Sequence, residues 1–98
     1  MGRLTEKNAL IIGGTHGMGL ATAKALVADG AQVLVTGANP SNVHRAHLEL
    51  EGRANAMGSD ISRAQDREVL AAMVAERFQS LDALFIFAAV AEFAPFDQ

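Results

Sequence analysis

The chain has 98 residues, half of them apolar, a formal charge of −3, and no Cys, Tyr or Trp. That is enough for one folded domain, residues 1–98, but small for a complete enzyme, and the apolar content argues against disorder. The composition excludes disulfide and thiolate chemistry, and it leaves no basic surface for nucleic acid or anionic membranes.

The apolar runs are too short to span a bilayer, and the first residues have no signal-peptide core. A soluble, cytoplasmic protein is expected. "NALIIGG", Asn8 to Gly14, is a short apolar run ending in glycines, as a strand buried on both faces should be. Leu20 to Gly30 follows with helical spacing, and Gly30 stands at the C-cap. "AQVLVTG", Ala31 to Gly37, is a second buried strand. Asn39-Pro40 offers an N-cap and a first-turn proline for a helix to about Leu50, stopped at Gly52. "RANAMGSD", Arg53 to Asp60, is a weaker strand that buries only Ala54, Ala56 and Met57. "SRAQ", Ser62 to Gln65, has capping-box spacing ahead of the stripe Val69, Leu70, Met73, Val74 and Phe78. "LDALFIFAAV", Leu81 to Val90, is the most apolar strand, and the tail "AEFAPFDQ" has no strong period.

Strand and helix alternate three times before a fourth strand closes the series. This order predicts an α/β fold, half of a doubly wound Rossmann sheet. The strands are parallel in order 3-2-1-4, with helices on both faces. No internal repeat or low-complexity segment interrupts it.

Gly13, Gly14, Gly17 and Gly19 fall where the first strand becomes the first helix. Glycine there permits positive φ and close approach of a phosphate, and the helix N-terminus adds N–H groups and a positive dipole end. A tight turn that needs glycine only for packing is the plainer alternative. The strand-to-helix context favours an inherited phosphate site.

On these residues the chain resembles the short-chain dehydrogenase/reductase family over nearly its whole length. The family's Thr-Gly-x-x-x-Gly-x-Gly matches Ile12 to Gly19 except at the first position. "VTGANP", "SDIS" and "LDALFIFAAVAEFAPF" resemble its second, third and fourth strand segments. The resemblance implies a nicotinamide dinucleotide lying against Gly13, Thr15, His16, Gly17, Met18 and Gly19. It also implies contacts from Ala38 and Asn39, from Asp60 and Ile61, and from Ala88 and Ala89. Asp60 would accept a hydrogen bond from the adenine amino group.

Four departures cluster near the carboxyl ends of strands. Ile12 replaces the motif threonine, and Ala38 stands where an NADP-reading arginine is common. Phe87 replaces an asparagine and Ala89 a glycine. Phe87 and Ala89 are expected to narrow the crevice. Neither an acid for the NAD ribose nor an arginine for the NADP phosphate follows the second strand. A protonated His16 could meet a phosphate. The expectation is NADP binding that is weak or lost, with NAD disfavoured further.

The family's hydride chemistry uses a serine and a tyrosine-lysine pair beyond the fourth strand, and this chain has no tyrosine at all. No catalytic residue is therefore assigned, and the isolated chain is not expected to turn over. His44, His47 and Glu51 share helical spacing suited to a metal, but a solvated face is the simpler reading. Asp60 and Asp66 read as a strand end and a helix first turn, not as paired acids. Ser59 and Ser62 have no histidine base placed near them. Among Phe85, Phe87, Phe93 and Phe96, the first two share a sheet face, which suggests core packing or a subunit contact.

The fourth strand would be an uncovered apolar edge, so a homodimer through that edge or the open helical layer is expected. No nucleic acid, membrane or metal partner is expected. Three functional readings stand: a nucleotide-binding half without turnover, a degenerate or engineered self-associating scaffold without cofactor, and a subunit of an NADP-dependent oxidoreductase completed by another chain.

Overall fold

The computed structural model describes residues 5–87. The elements are β1 (Asn8–Ile12), α1 (Gly17–Ala28), β2 (Gln32–Gly37), α2 (Pro40–Glu49), β3 (Asn55–Gly58), α3 (Ala64–Arg77) and β4 (Ala83–Ile86). All strand pairs are parallel, and the sheet order is β3-β2-β1-β4, as the alternation of elements requires. Leu10 sits beside both Leu34 and Leu84, and Leu34 also sits beside Asn55 of β3, which makes β1 and β2 the central strands.

Strand parity divides the core in two. Ala9, Ile11, Val33 and Val35 pack under Leu20, Ala23 and Val27 of α1 and Ala46 of α2, with Leu50 just beyond it. Leu10 and Leu34 face the other way, onto Leu70 of α3 and Phe78. The helices therefore cover both faces, two on one and one on the other. Ile11, Leu34, Leu50 and Val35 are among the most completely buried side chains, each contributing about 1.5–3 kcal/mol of transfer free energy.

α1 ends as the sequence suggests. Gly30 takes φ 95°, its N–H donates to the Val27 carbonyl, and the Ala31 N–H donates to Leu26. This is the Schellman pattern, with glycine at the left-handed position. α2 also starts as expected, with Asn39 Oδ1 accepting from the N–H groups of Ser41 and Asn42. Its end differs: the residue after the cap is Glu51, at φ 56°, with Gly52 following at φ 76°. The left-handed conformation expected of a glycine thus falls first on a glutamate.

Three further expectations are corrected. α1 begins at Gly17, not Leu20, so the glycine turn supplies the first turn of the helix. The capping box over Ser62 to Gln65 does not form. The Ser62 N–H and hydroxyl both donate to Asp60 Oδ1 instead, and Arg63 is an N-cap without a side-chain bond. Asp66 takes the reaching-back role, accepting from the Asp60 N–H at 2.8 Å. Finally, the regular part of the last strand is only Ala83–Ile86. The Phe87 N–H extends its ladder to the Ile12 carbonyl, and the expected continuation over 88–90 lies outside the described residues.

Candidate functional site

β1 stops at Ile12 because the next two amides converge on one carbonyl of β2 instead of continuing the ladder. The N–H groups of Gly13 and Gly14 both donate to the Thr36 carbonyl, at 2.9 and 3.0 Å. Gly13 has φ 84° and Gly17 has φ 59°, values that disfavour a side chain. The chain then enters α1, where the Leu20 N–H donates to the His16 carbonyl. The N–H groups of Gly17, Met18 and Gly19 precede that bond and have no intrahelical partner. His16 is an extended N-cap whose side chain leaves them uncapped. A Cβ on Gly17 would meet nothing within 4 Å, so the turn opens toward free space.

Gly19 and Gly37 serve packing. A Cβ on Gly19 would collide with the Gly13 carbonyl oxygen, and one on Gly37 with Thr15 Oγ1. Thr15 is itself buried, so the turn is locked onto the end of β2 by the absence of a side chain at 37.

Beside this turn, at the carboxyl ends of β1, β2 and β3, lies a cavity of about 110 Å³. It is lined by residues from the ends of the three strands: Ile12 and Gly13, Thr36 to Ala38, and Ser59 to Ile61. Thr36 is fully buried and Ser59 is 7% exposed. Neither hydroxyl has a hydrogen-bond partner among the described residues. Buried hydroxyls without partners are costly and call for an explanation such as a bound group. Asp60 sits at the mouth, held by Ser62. The Ser62 hydroxyl at 2.6 Å, and next its amide, keep the Asp60 carboxyl below the usual carboxylate range.

The structure thus gathers Gly13, Ala38, Asp60 and Ile61 around one cavity and sets Gly17, Met18 and Gly19 at the adjacent helix start. Thr15 does not line the cavity, because its side chain is buried against Gly37. Asn39 spends its side-chain oxygen on the α2 cap. His16 is exposed, as is Met18 at 76%. Ala88 and Ala89 lie outside the described residues, as do Phe93 and Phe96. Phe87 does not line the cavity either. Parity turns its ring onto Phe85, with centroids 6.4 Å apart and planes 5° from parallel, against the α1 side of the sheet. Its expected intrusion into the crevice is therefore not part of the cavity wall. Among the described residues no cluster of three or more metal-ligating side chains occurs, and no helix is long and apolar enough to cross a membrane.

Thr36 and Ser59 were the residues least legible from sequence as site residues. Their only signal was a hydroxyl at the last inward position of an otherwise apolar strand and at the strand end beside it.

A glycine turn leading into an uncapped helix start, at the carboxyl edge of a parallel sheet, defines the mononucleotide-binding half of a doubly wound fold. The chain belongs to the short-chain dehydrogenase family, whose sequence model matches residues 7–98. It is 37% identical over 93 residues to dehydrogenase/reductase SDR family member 4 of Rattus norvegicus, spanning 92% of this chain and 33% of that protein. It is 34% identical over 84 residues to D-beta-hydroxybutyrate dehydrogenase of Cupriavidus necator, spanning 83% of this chain and 33% of that one. Its fold matches a crystal structure assigned to a betaketoacyl-ACP reductase with a TM-score of 0.73 and 29% identity, covering 84% of this chain and 33% of the other. The chain spans about a third of the length of these relatives. Members of the family use NAD(P) cofactors.

Proposed function

We propose that this chain is the nucleotide-binding N-terminal part of a short-chain dehydrogenase, binding NADP weakly and carrying out no hydride transfer by itself. The observation that carries the reading is the pair of unpartnered buried hydroxyls, Thr36 and Ser59, in the wall of a cavity beside an uncapped helix start. The diphosphate would be held by the N–H groups of Gly17, Met18 and Gly19, and the adenosine by the cavity with Asp60 at its mouth. The nicotinamide would supply the hydride acceptor or donor in a complete enzyme. The acid/base tyrosine of the family has no counterpart in a sequence without tyrosine.

Weak binding is supported by Ala38, which offers no charge to a ribose phosphate, and by the amides of Gly13 and Gly14, already bonded to Thr36. NADP is favoured over NAD because no acidic side chain follows β2, while the exposed His16 lies beside the turn. Titration with NADPH, followed by its fluorescence, tests the reading. Saturation in the high micromolar to millimolar range supports it, and silence through that range favours a scaffold without cofactor. Turnover by the isolated chain would refute the catalytic part.

The proposal includes a cytoplasmic setting and a homodimer formed through the outer strand. β4 is the edge of the sheet, and Leu84 and Ile86 on its α3 side are 53% and 57% exposed. They adjoin an apolar groove of about 610 Å³ between α3 and β1, with Leu10, Ile12, Val74 and Phe78 in its walls. Exposed apolar surface of this kind drives association. Sedimentation equilibrium should show a dimer at micromolar concentration, and Ile86→Lys should weaken it by about tenfold or more. A wild-type monomer would overturn this part.

A further inference from the structure

We infer that Asp66 and Arg67, on the first turn of α3, are positioning residues that fix the Asp60–Ile61 segment and thereby set the preference of the site for its base. Neither side chain lines the 110 Å³ cavity. The inference rests on the nucleotide-binding reading and assigns base selectivity to two residues of the neighbouring helix.

The sheet holds this segment only as far as its start. Gly58 stands beside Gly37, and the Ser59 N–H donates to the Gly37 carbonyl at 2.9 Å. Beyond Ser59, no hydrogen bond among the described residues ties Asp60 or Ile61 to β2. Packing does not fix the segment either. Ile61 lines both the 110 Å³ cavity and the 610 Å³ groove, as Ile12 does. A side chain bordered by open space at two places lacks the close packing that holds a core residue still.

α3 supplies the restraint that the sheet lacks. The Asp60 N–H donates to Asp66 Oδ2 at 2.8 Å, and Arg67 Nη1 donates to the Ile61 carbonyl at 2.7 Å. Successive residues are thus gripped, one by its donor and the next by its acceptor. Both bonds use an ionised side chain, a class roughly twice as strong as neutral pairs. Ser62 does something different. Its amide and hydroxyl orient the Asp60 carboxylate within the segment, and they move with it.

The consequence falls on the second carboxylate oxygen. Asp60 Oδ1 takes both bonds from Ser62, while Oδ2 has only Arg63 Nε at 3.9 Å. Oδ2 is therefore available to an amino donor, which adenine carries. Hypoxanthine has a carbonyl oxygen at that position, an acceptor that a carboxylate cannot pair. Selectivity between the two bases then depends on where α3 holds Asp60.

NADPH and its analogue with hypoxanthine in place of adenine test this, titrated into the 98-residue chain and followed by amide chemical shifts. The wild-type chain should prefer NADPH by about fivefold, the scale of one hydrogen bond. Asp66→Ala and Arg67→Met should each bring the two ligands within about twofold, by weakening NADPH and leaving the analogue unchanged. Arg67→Met keeps an apolar stem on the groove, and its melting temperature should stay close to that of the wild type. Asp66→Asn, whose amide oxygen can still accept from the Asp60 N–H, should restore the preference. Full preference in both Asp66→Ala and Arg67→Met overturns the inference, as does an equal loss of both ligands with a lowered melting temperature, the mark of a merely structural role. A failure of Asp66→Asn to restore the preference overturns the part given to Asp66. A wild-type chain that binds both ligands equally also overturns the inference but leaves the nucleotide reading intact. Binding of neither ligand to the wild-type chain defeats that reading itself.

Discussion

Asn8 and Asp82 clasp each other across the amino ends of β1 and β4. The Asn8 amide donates to Asp82 Oδ2 at 2.8 Å, and the Asp82 amide donates to the Asn8 carbonyl at 2.9 Å. The Asn8 side chain adds a bond to the Ser80 carbonyl at 2.9 Å. These bonds set the register in which Ala83 meets Ala9, and they bring the last strand to the sheet at a fixed height. Asp82→Ala should destabilise the chain by about 1 kcal/mol, the net value of such a bond. Urea unfolding would measure it, and an unchanged midpoint would show that β4 is held by its ladder alone.

The contact between Gly37 and Thr15 is unforgiving in a different way. Gly37→Ala places a methyl on the Thr15 hydroxyl, in a region with no exposed side to yield. The expected cost is about 1–3 kcal/mol. Thr15→Ala in the same chain should recover part of it, and a double-mutant cycle would reveal the coupling. Strictly additive losses would mean that the methyl is accommodated elsewhere.

Glu51 carries the left-handed turn that ends α2, at φ 56°. Its side chain is exposed, so the conformation costs energy without a visible packing return. Glu51→Gly should raise stability by about 1 kcal/mol, close to the penalty for an L-residue in that region. A lower melting temperature would show that the carboxylate has a stabilising role outweighing its backbone strain.

α1 and α2 are joined at the surface by Lys24 Nζ and Glu49 Oε1, 2.7 Å apart. The hydrogen bond from Lys24, and then its charge, hold the Glu49 carboxyl below its ordinary 4.5. A depressed folded-state value means that the stabilisation is present above about pH 4.5 and is lost as pH falls through the lower folded value. The melting-temperature gap between wild type and Lys24→Met should therefore be present at pH 7 and close in acid. Because the pair is solvated, the gap should be small and shrink with salt. A gap that widened in acid would contradict the assignment.

The architecture was legible because its signals are local and periodic. Continuous apolar runs for β1 and β2, Asn39-Pro40 before α2 and Gly30 after α1 each need only a few neighbouring residues to be understood. Where structure and sequence signal part, two local signals compete. Ser62 had the spacing of a helix cap, but Asp60, two residues earlier, offered its hydroxyl a charged acceptor at 2.6 Å. Asp66 then reached back in place of Gln65. At the end of α2 the sequence pointed to Gly52, whereas the helix ran out one residue sooner, on Glu51.

The sequence by itself determined the strand order, the helix on each crossover and the position of the glycine turn, because spacing along the chain encodes period, handedness and breakpoints. Tertiary structure decided which of those residues face a ligand. Thr36 and Ser59 lie 23 positions apart by their numbering and became the buried polar wall of one cavity only when β2 and β3 paired. Thr15 and Phe87, which the motif placed beside a dinucleotide, were turned into packing by Gly37 and by strand parity. A parallel sheet brings distant strand ends together, and the side of the pleat then sets whether a hydroxyl or a ring meets the crevice or the core.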